Sequence, residues 1–188
     1  MVSTKSNSFQ ICGTCKFNCC RNARPPLTGR RKRRIDAYLA AHDLSIDHPF
    51  VRRAYTFPRE TSEDVCVFLE EESRRCLIHP VKPETCVAGP ITFDINLHTG
   101  NVEWFLKSEN ICPLAGVLYH DKRTLETHLN HAKHELQTLI HELNPEELFV
   151  LLQIEESDTF KIGEAPLSRR ILDQQRKLHT THRGAYSL

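Results

Sequence analysis

Cys12-Gly13-Thr14-Cys15-Lys16-Phe17-Asn18-Cys19-Cys20 places four thiols within nine residues, and Cys66, Cys76 and Cys86 then recur with nine residues between each. An eighth cysteine, Cys112, follows in Ile111-Cys112-Pro113-Leu114. What these eight sulfurs bind decides the fold. Of the 188 residues, 39% are hydrophobic and 7% aromatic, a thin supply for a core of this size. A metal site would add cross-links that such a core lacks.

The redox compartment bears on the choice between disulfide and metal. Met1-Val2-Ser3-Thr4-Lys5-Ser6-Asn7-Ser8 has no apolar stretch of the length a secretory leader needs. No window approaches the eighteen or more apolar residues of a membrane span. The expectation is a cytoplasmic protein with no membrane partner, where thiols stay reduced. Thiolate is the form that binds metal, and a CxxC in an intracellular chain points to metal or redox work. Inert burial accounts for one or two cysteines, not for the set.

Cys12 and Cys15 form a chelating knuckle of the common type, but there is only one. Cys19 and Cys20 are adjacent, and neighbouring side chains tend to point apart. They suit two different metals, or one ligand and one supporting thiol. Eight thiolates match two four-sulfur sites, or one such site plus four spare thiols. An iron–sulfur cluster of the [4Fe–4S] kind needs four thiolates and tolerates scattered spacing, and a Cys-Pro step like Cys112-Pro113 occurs in ferredoxin-type runs. His79, three residues after Cys76, is an additional donor. The expected metal ligands are Cys12, Cys15, Cys19, Cys20, Cys66, Cys76, Cys86 and Cys112, holding an iron–sulfur cluster or, alternatively, zinc; the division between sites is left open.

The rest of the chain supplies the frame. Residues 1–8 read as disordered and 9–23 as a cysteine-rich loop. Thr28, after Pro25-Pro26-Leu27, is an N-cap for an amphipathic helix over 30–42 with a basic outer face. Alternation at Val65, Val67 and Leu69 predicts a strand, Cys76-Leu77-Ile78 a second, and Pro83 the start of a short helix bearing Cys86. Ile91, Phe93, Ile95 and Leu97, then Val102, Trp104 and Leu106, alternate about His98-Thr99-Gly100-Asn101, which predicts a β-hairpin. Leu125, Leu129, Ala132, Leu136, Leu139 and Leu143 make one apolar stripe on a long helix. Asn144-Pro145-Glu146-Glu147 restarts a helix whose core-facing candidates are Phe149, Leu152 and Leu148. Beyond Asp158 the signal weakens to a possible short helix from Leu167 to Leu178. The expected class is α+β: a small irregular cysteine-ligated core with a β-hairpin, followed by C-terminal helices. The expected division is a cysteine-cluster domain over 9–118, a helical extension over 119–156 and a weakly structured tail over 157–188.

Charge is uneven. The first 35 residues carry nine basic groups and no acid. Arg30-Arg31-Lys32-Arg33-Arg34 is a candidate phosphate contact. No stacking aromatics interleave with it, which favours a solvated face that offsets thiolate charge. His128, His131 and His134, beside Glu135, are not an HExxH motif and do not share one face, so they read as helix surface. No Ser-His-Asp arrangement, P-loop or GxGxxG is present, and no catalytic residue is singled out.

Taken together, the cysteine series resembles the CxxCxxCC-type cysteine-cluster family, described as zinc- or iron-chelating and as Fe–S-cluster-containing. The resemblance covers about residues 9–118. It rests on Cys12, Cys15, Cys19 and Cys20, on Leu27-Thr28 leading to Ile35, on Cys66-Val67-Phe68-Leu69, on the segment from Cys76 through Lys82-Pro83 to Cys86, and on Cys112-Pro113. Departures are the third residue between Cys15 and Cys19, Lys82 in place of arginine, Val87-Ala88-Gly89-Pro90 after Cys86, and Leu114 where the family has glycine. The resemblance implies metal binding, with electron transfer or an accessory redox role. The alternatives are a zinc-stabilised module presenting its basic helix to nucleic acid or an acidic partner, and a protein-lysine methylase-like enzyme or accessory. A related cysteine cluster occurs in flagellin lysine methylases, which are longer chains. This sequence has no recognisable S-adenosylmethionine fingerprint.

Overall fold

The computed structural model describes residue 11 and residues 19–70, 72–156 and 158–185. Cys12, Cys15 and the segment expected to be disordered lie outside them. Thr28 caps α1 (Gly29–Ala41), its side chain accepting the Arg31 N–H. β1 (Phe50–Arg52) and β2 (Thr56–Pro58) form a hairpin, and β3 (Leu69–Glu70) and β4 (Arg75–Cys76) form a second, smaller one. A 3-10 turn over His79–Val81 leads into α2 (Glu84–Ala88). β5 (Ile91–Asn96) and β6 (Asn101–Lys107) are the hairpin that the alternation predicts, with Ile91 opposite Leu106 and Asn96 opposite Asn101. α3 (Pro113–His120), α4 (Lys122–Glu142) and α5 (Pro145–Leu151) follow. β7 (Thr159–Pro166) and α6 (Arg169–Ala185) complete a mixed α+β fold.

Two hydrophobic cores organise these elements. The larger packs Ile91, Ile95, Val102, Trp104 and Leu106 of the sheet against Leu118 of α3, Ala132, Leu136 and Leu139 of α4, Leu148 of α5 and Ile171 of α6. The smaller gathers Leu27, Ile35 and Leu39 with Phe68, Ile78 and Val81, and Cys66 and Cys76 pack against it. On α5, Leu148 is the fully buried position while Phe149 is half-buried, and the Asn144 capping box starts the helix.

The structure departs from the sequence reading at several elements. Within the segment expected to be a weakly structured tail, residues 159–166 and 169–185 are regular: β7 pairs antiparallel with β6 from Asn101↔Pro166 to Lys107↔Thr159, making the order β5-β6-β7. Its alternation is broken by a bulge between Trp104 and Phe105, which face Gly163 and Lys161 and leave Ile162 as the extra residue. The boundary at 118/119 runs through the larger core, since α3 and α4 pack into it together. The strand expected over 65–69 is regular only at Leu69–Glu70, because Val65 bridges to Arg21 and Cys66 bridges to Glu60. Among the described residues, no helix is long and apolar enough to cross a membrane.

Candidate metal centre

Five cysteines from four stretches of chain gather beside the smaller core. Cys19 and Cys20 end just before Asn22, whose φ of 53° turns the chain. The turn is pinned along 64–66: Asn22 N–H donates to Asp64 O at 2.7 Å, and Cys66 N–H donates to Cys20 O at 2.8 Å. Cys66 O accepts Leu69 N–H at 2.9 Å, and Leu69 lies opposite Cys76 in the β3–β4 pairing. The 3-10 turn, Lys82 and Pro83 then deliver Cys86 in the single turn and a half of α2.

Two of the loops use one device. The Cys66 thiol accepts the N–H of Phe68, and the Cys76 thiol accepts the N–H of Ile78. Phe68 and Ile78 are fully buried in the smaller core. In Cys66-Val67-Phe68 and Cys76-Leu77-Ile78 the third residue therefore anchors the loop, and its amide is aimed at the sulfur. Hydrogen bonds of this kind favour the thiolate.

The thiols sense one another's charge. Cys19, Cys66 and Cys76 all oppose ionisation of Cys86. Burial pushes Cys86 and Cys76 up, and it carries Cys66 up to about 11 despite the Phe68 amide. Cys19 is the exception. The Cys20 thiol donates to it, and together with Lys82 and Lys107 this outweighs desolvation and lowers its pKa to about 6. Donating that proton raises Cys20 in turn, and burial adds to the effect. Lys82 favours the thiolates of Cys19, Cys76 and Cys86 alike. No cysteine among the described residues is in a disulfide. Partly buried sulfurs with amide donors and a nearby cation suit a thiolate-preferring metal such as zinc or iron.

Residues 11–113, more than half the chain, match a family model described as "CxxCxxCC: Putative zinc- or iron-chelating domain". The chain belongs to the CxxCxxCC family. That membership supports a metal-binding role. No curated protein and no solved structure gives a significant match.

In this CxxCxxCC domain, Cys112 starts α3, with its N–H on Ser108 O at 3.0 Å. It packs against the larger core, as does Ile11, the neighbour of Cys12 in sequence. His79 opens the 3-10 turn, and burial followed by Lys82 holds its pKa below the usual imidazole value. Among the described residues, no three Cys, His, Asp or Glu side chains converge on one point as a single-ion site.

Residue-level reading of the sequence misses a buried ion cluster behind Cys86. Glu84 is 1% exposed; its Oε1 accepts the Thr28 hydroxyl at 2.7 Å and lies 3.5 Å from Arg31 Nε, while Arg31 also pairs with Glu135 of α4. Arg31 is thus not part of a solvated basic face. Its spacing to Ile35 and Leu39, four residues each, is the sequence signal that places it inside. His128 is likewise not helix surface: Nε2 lies 3.1 Å from the Ala88 and Gly89 carbonyls at the end of α2. Burial lowers its pKa, with Lys82 and His131 adding to the effect. Here the signal is its place four residues before the buried Ala132.

Proposed function

We propose that this domain holds an iron–sulfur cluster, of the [4Fe–4S] kind, on thiolates drawn from Cys12, Cys15, Cys19, Cys20, Cys66, Cys76, Cys86 and Cys112, and that it serves in electron transfer or as a redox accessory. The observation that carries the reading is the gathering of Cys19, Cys20, Cys66, Cys76 and Cys86, with Lys82 beside Cys19, Cys76 and Cys86. A lone tetrahedral zinc, with Zn–S of about 2.3 Å, draws its sulfurs to within roughly 4 Å of one another. A cubane accepts thiolates set wider apart. Thiols drawn from separate stretches of the chain suit that wider arrangement.

When bound, the cluster supplies one-electron transfer. The amides of Phe68 and Ile78 hold two thiolates and disperse their charge. Lys82 offsets the negative charge that four thiolates bring, and this favours the more electron-rich state. The smaller core keeps water from one side of the sulfurs.

The reading as a basic nucleic-acid module is less well supported. Of the run 30–34, Arg31 is buried, Arg30 pairs with Glu142 at 3.0 Å and Lys32 with Asp36 at 2.8 Å. Only Arg33 and Arg34 of the run stand exposed without such a pair among the described residues. Nothing in the site favours a methylase.

The test is iron, zinc and acid-labile sulfide content, with a visible spectrum, on protein purified without oxygen. About four irons and four sulfides per chain are expected. One or two zincs and no sulfide would overturn the cluster in favour of a thiolate zinc site.

A further inference from the structure

Cys86 opens the third of three like segments. In Cys66-Val67-Phe68 and Cys76-Leu77-Ile78 a large side chain two residues past the thiol is buried in the smaller core. Cys86-Val87-Ala88 repeats the spacing, and Ala88 is 0% exposed within the larger core. An alanine methyl buries far less apolar surface than a phenylalanine or isoleucine side chain, so packing alone fixes this third segment less firmly. α2 spans only Glu84–Ala88, too short to hold its own turns.

The further hold comes from α4. His128 Nε2 lies 3.1 Å from Ala88 O and 3.1 Å from Gly89 O. Carbonyls only accept, so Nε2 carries the hydrogen and donates to both. Ala88 O is among the last carbonyls of α2, which a helix leaves without an internal partner, and Gly89 is its C-cap. Two turns along α4, Glu135 pairs with Arg31, which also lies 3.5 Å from Glu84 at the start of α2. Residues 128 and 135 share one face of the helix, and Ala132 between them is 0% exposed. The long helix thus holds the cysteine helix at both ends, through Arg31 at one and directly at the other. We propose that His128 is a positioning residue of the metal centre: by holding Ala88 and Gly89 it sets where α2 presents the Cys86 sulfur. The inference rests on the reading of Cys86 as a metal ligand, and it holds for a cluster and for zinc alike.

The test is alkylation of the full-length protein, with and without its metal, read at each cysteine by peptide mass spectrometry for the parent, His128→Leu and His128→Gln. In chelator-treated protein His128→Leu should raise the Cys86 rate about tenfold while Cys66 and Cys76 stay within about twofold. Those two thiols are internal references, since a general loss of stability would expose all three together. His128→Gln keeps an N–H within reach and should restore the parent's rate. In loaded protein, metal should protect Cys86, and His128→Leu should speed metal release to a chelator by about tenfold or more. The proposal is overturned by a Cys86 that metal protects but His128→Leu leaves unchanged, by Cys66, Cys76 and Cys86 speeding up together, or by a His128→Gln protein that behaves like His128→Leu. A parent whose Cys86 labels equally with and without metal overturns the ligand reading, and the proposal with it. Should His128→Leu fail to fold, His128→Asn, whose shorter amide falls short of the carbonyls, takes its place in the same comparison.

Discussion

The Thr28 hydroxyl donates to Glu84 Oε1 at 2.7 Å while accepting the Arg31 N–H at 3.0 Å. The residue that caps α1 thereby also fixes the first turn of the helix that bears Cys86. Arg31 extends the connection to Glu135 of α4, so one buried cluster joins the smaller core, the cysteine helix and the larger core. Its single guanidinium serves two carboxylates whose side chains are 1% and 13% exposed.

Removing that cation should be costly. Arg31→Met leaves Glu84 and Glu135 without compensation, and breaking a buried pair in this way costs about 3–5 kcal/mol. Arg31→Lys should recover only part of it, because one ammonium lacks the fork that meets two carboxylates. Urea denaturation of the parent and both variants measures this. A loss below about 1 kcal/mol for Arg31→Met, the range of a surface pair, would contradict it.

Cys19 should be the reactive thiol of the metal-free protein. It is exposed, and its pKa is lowered to about 6 by the Cys20 thiol, with Lys82 and Lys107 assisting. At pH 7 it is mostly thiolate, whereas Cys66, Cys76 and Cys86 are held protonated by burial. Alkylation read by peptide mass spectrometry should label Cys19 first and Cys86 last. The rate at Cys19 should fall as pH drops through about 6, and Cys20→Ala should move that midpoint upward. The depressed pKa also stabilises the metal-free fold above the ordinary thiol value, a contribution lost as pH falls through about 6. Uniform labelling of all cysteines at pH 7 would refute the assignment.

How legible this was in the sequence depends on what each residue had to do. The α4 stripe and the β5–β6 alternation were readable because each buries a single face with a regular period, and the Asn144 restart was readable because a capping box is local. The gathering of thiols was legible as residue types, yet its geometry rests on bridges such as Arg21↔Val65 that pair segments far apart in sequence. Arg31 was hidden among five consecutive cations, where composition masks position. β7 was hidden because the bulge at Ile162 breaks its alternation, and Gly163, Pro166 and two charges dilute its apolar content.

Alkali should destabilise the metal-free protein and spare the loaded one. Cys66, Cys76 and Cys86 have folded pKa values above those of the unfolded chain. Below the unfolded thiol value of about 8.5 both states keep these protons. As pH rises past it, the unfolded chain releases protons while the fold retains them, so stability falls until the folded thiols ionise, near 11 for Cys66. Cys66 alone accounts for a loss on the order of 3 kcal/mol. Metal removes the effect by holding the sulfurs as thiolates in the fold. Urea midpoints between pH 7.5 and 10.5 should fall for chelator-treated protein and stay nearly flat for the loaded form. Parallel curves would mean that these thiols are not the ligands.

Deleting everything after Glu156 should unfold the larger core and not merely trim it. β7 supplies the outer ladder for β6, and Lys161 pairs with Glu103 of β6 at 2.8 Å. Beyond β7 the chain is tied to the hairpin turn: Leu167 N–H donates to Gly100 O at 3.0 Å, and Arg176 donates to Leu97 O. Ile171 is buried in the larger core, where Trp104 and Leu106 are fully enclosed. Without these residues β6 becomes an open edge and that core faces solvent, which invites association through the exposed strand. Circular dichroism with size-exclusion chromatography should reveal lost helix and aggregation. A monomeric truncation that keeps its cooperative unfolding transition would return 157–188 to the status of a dispensable tail.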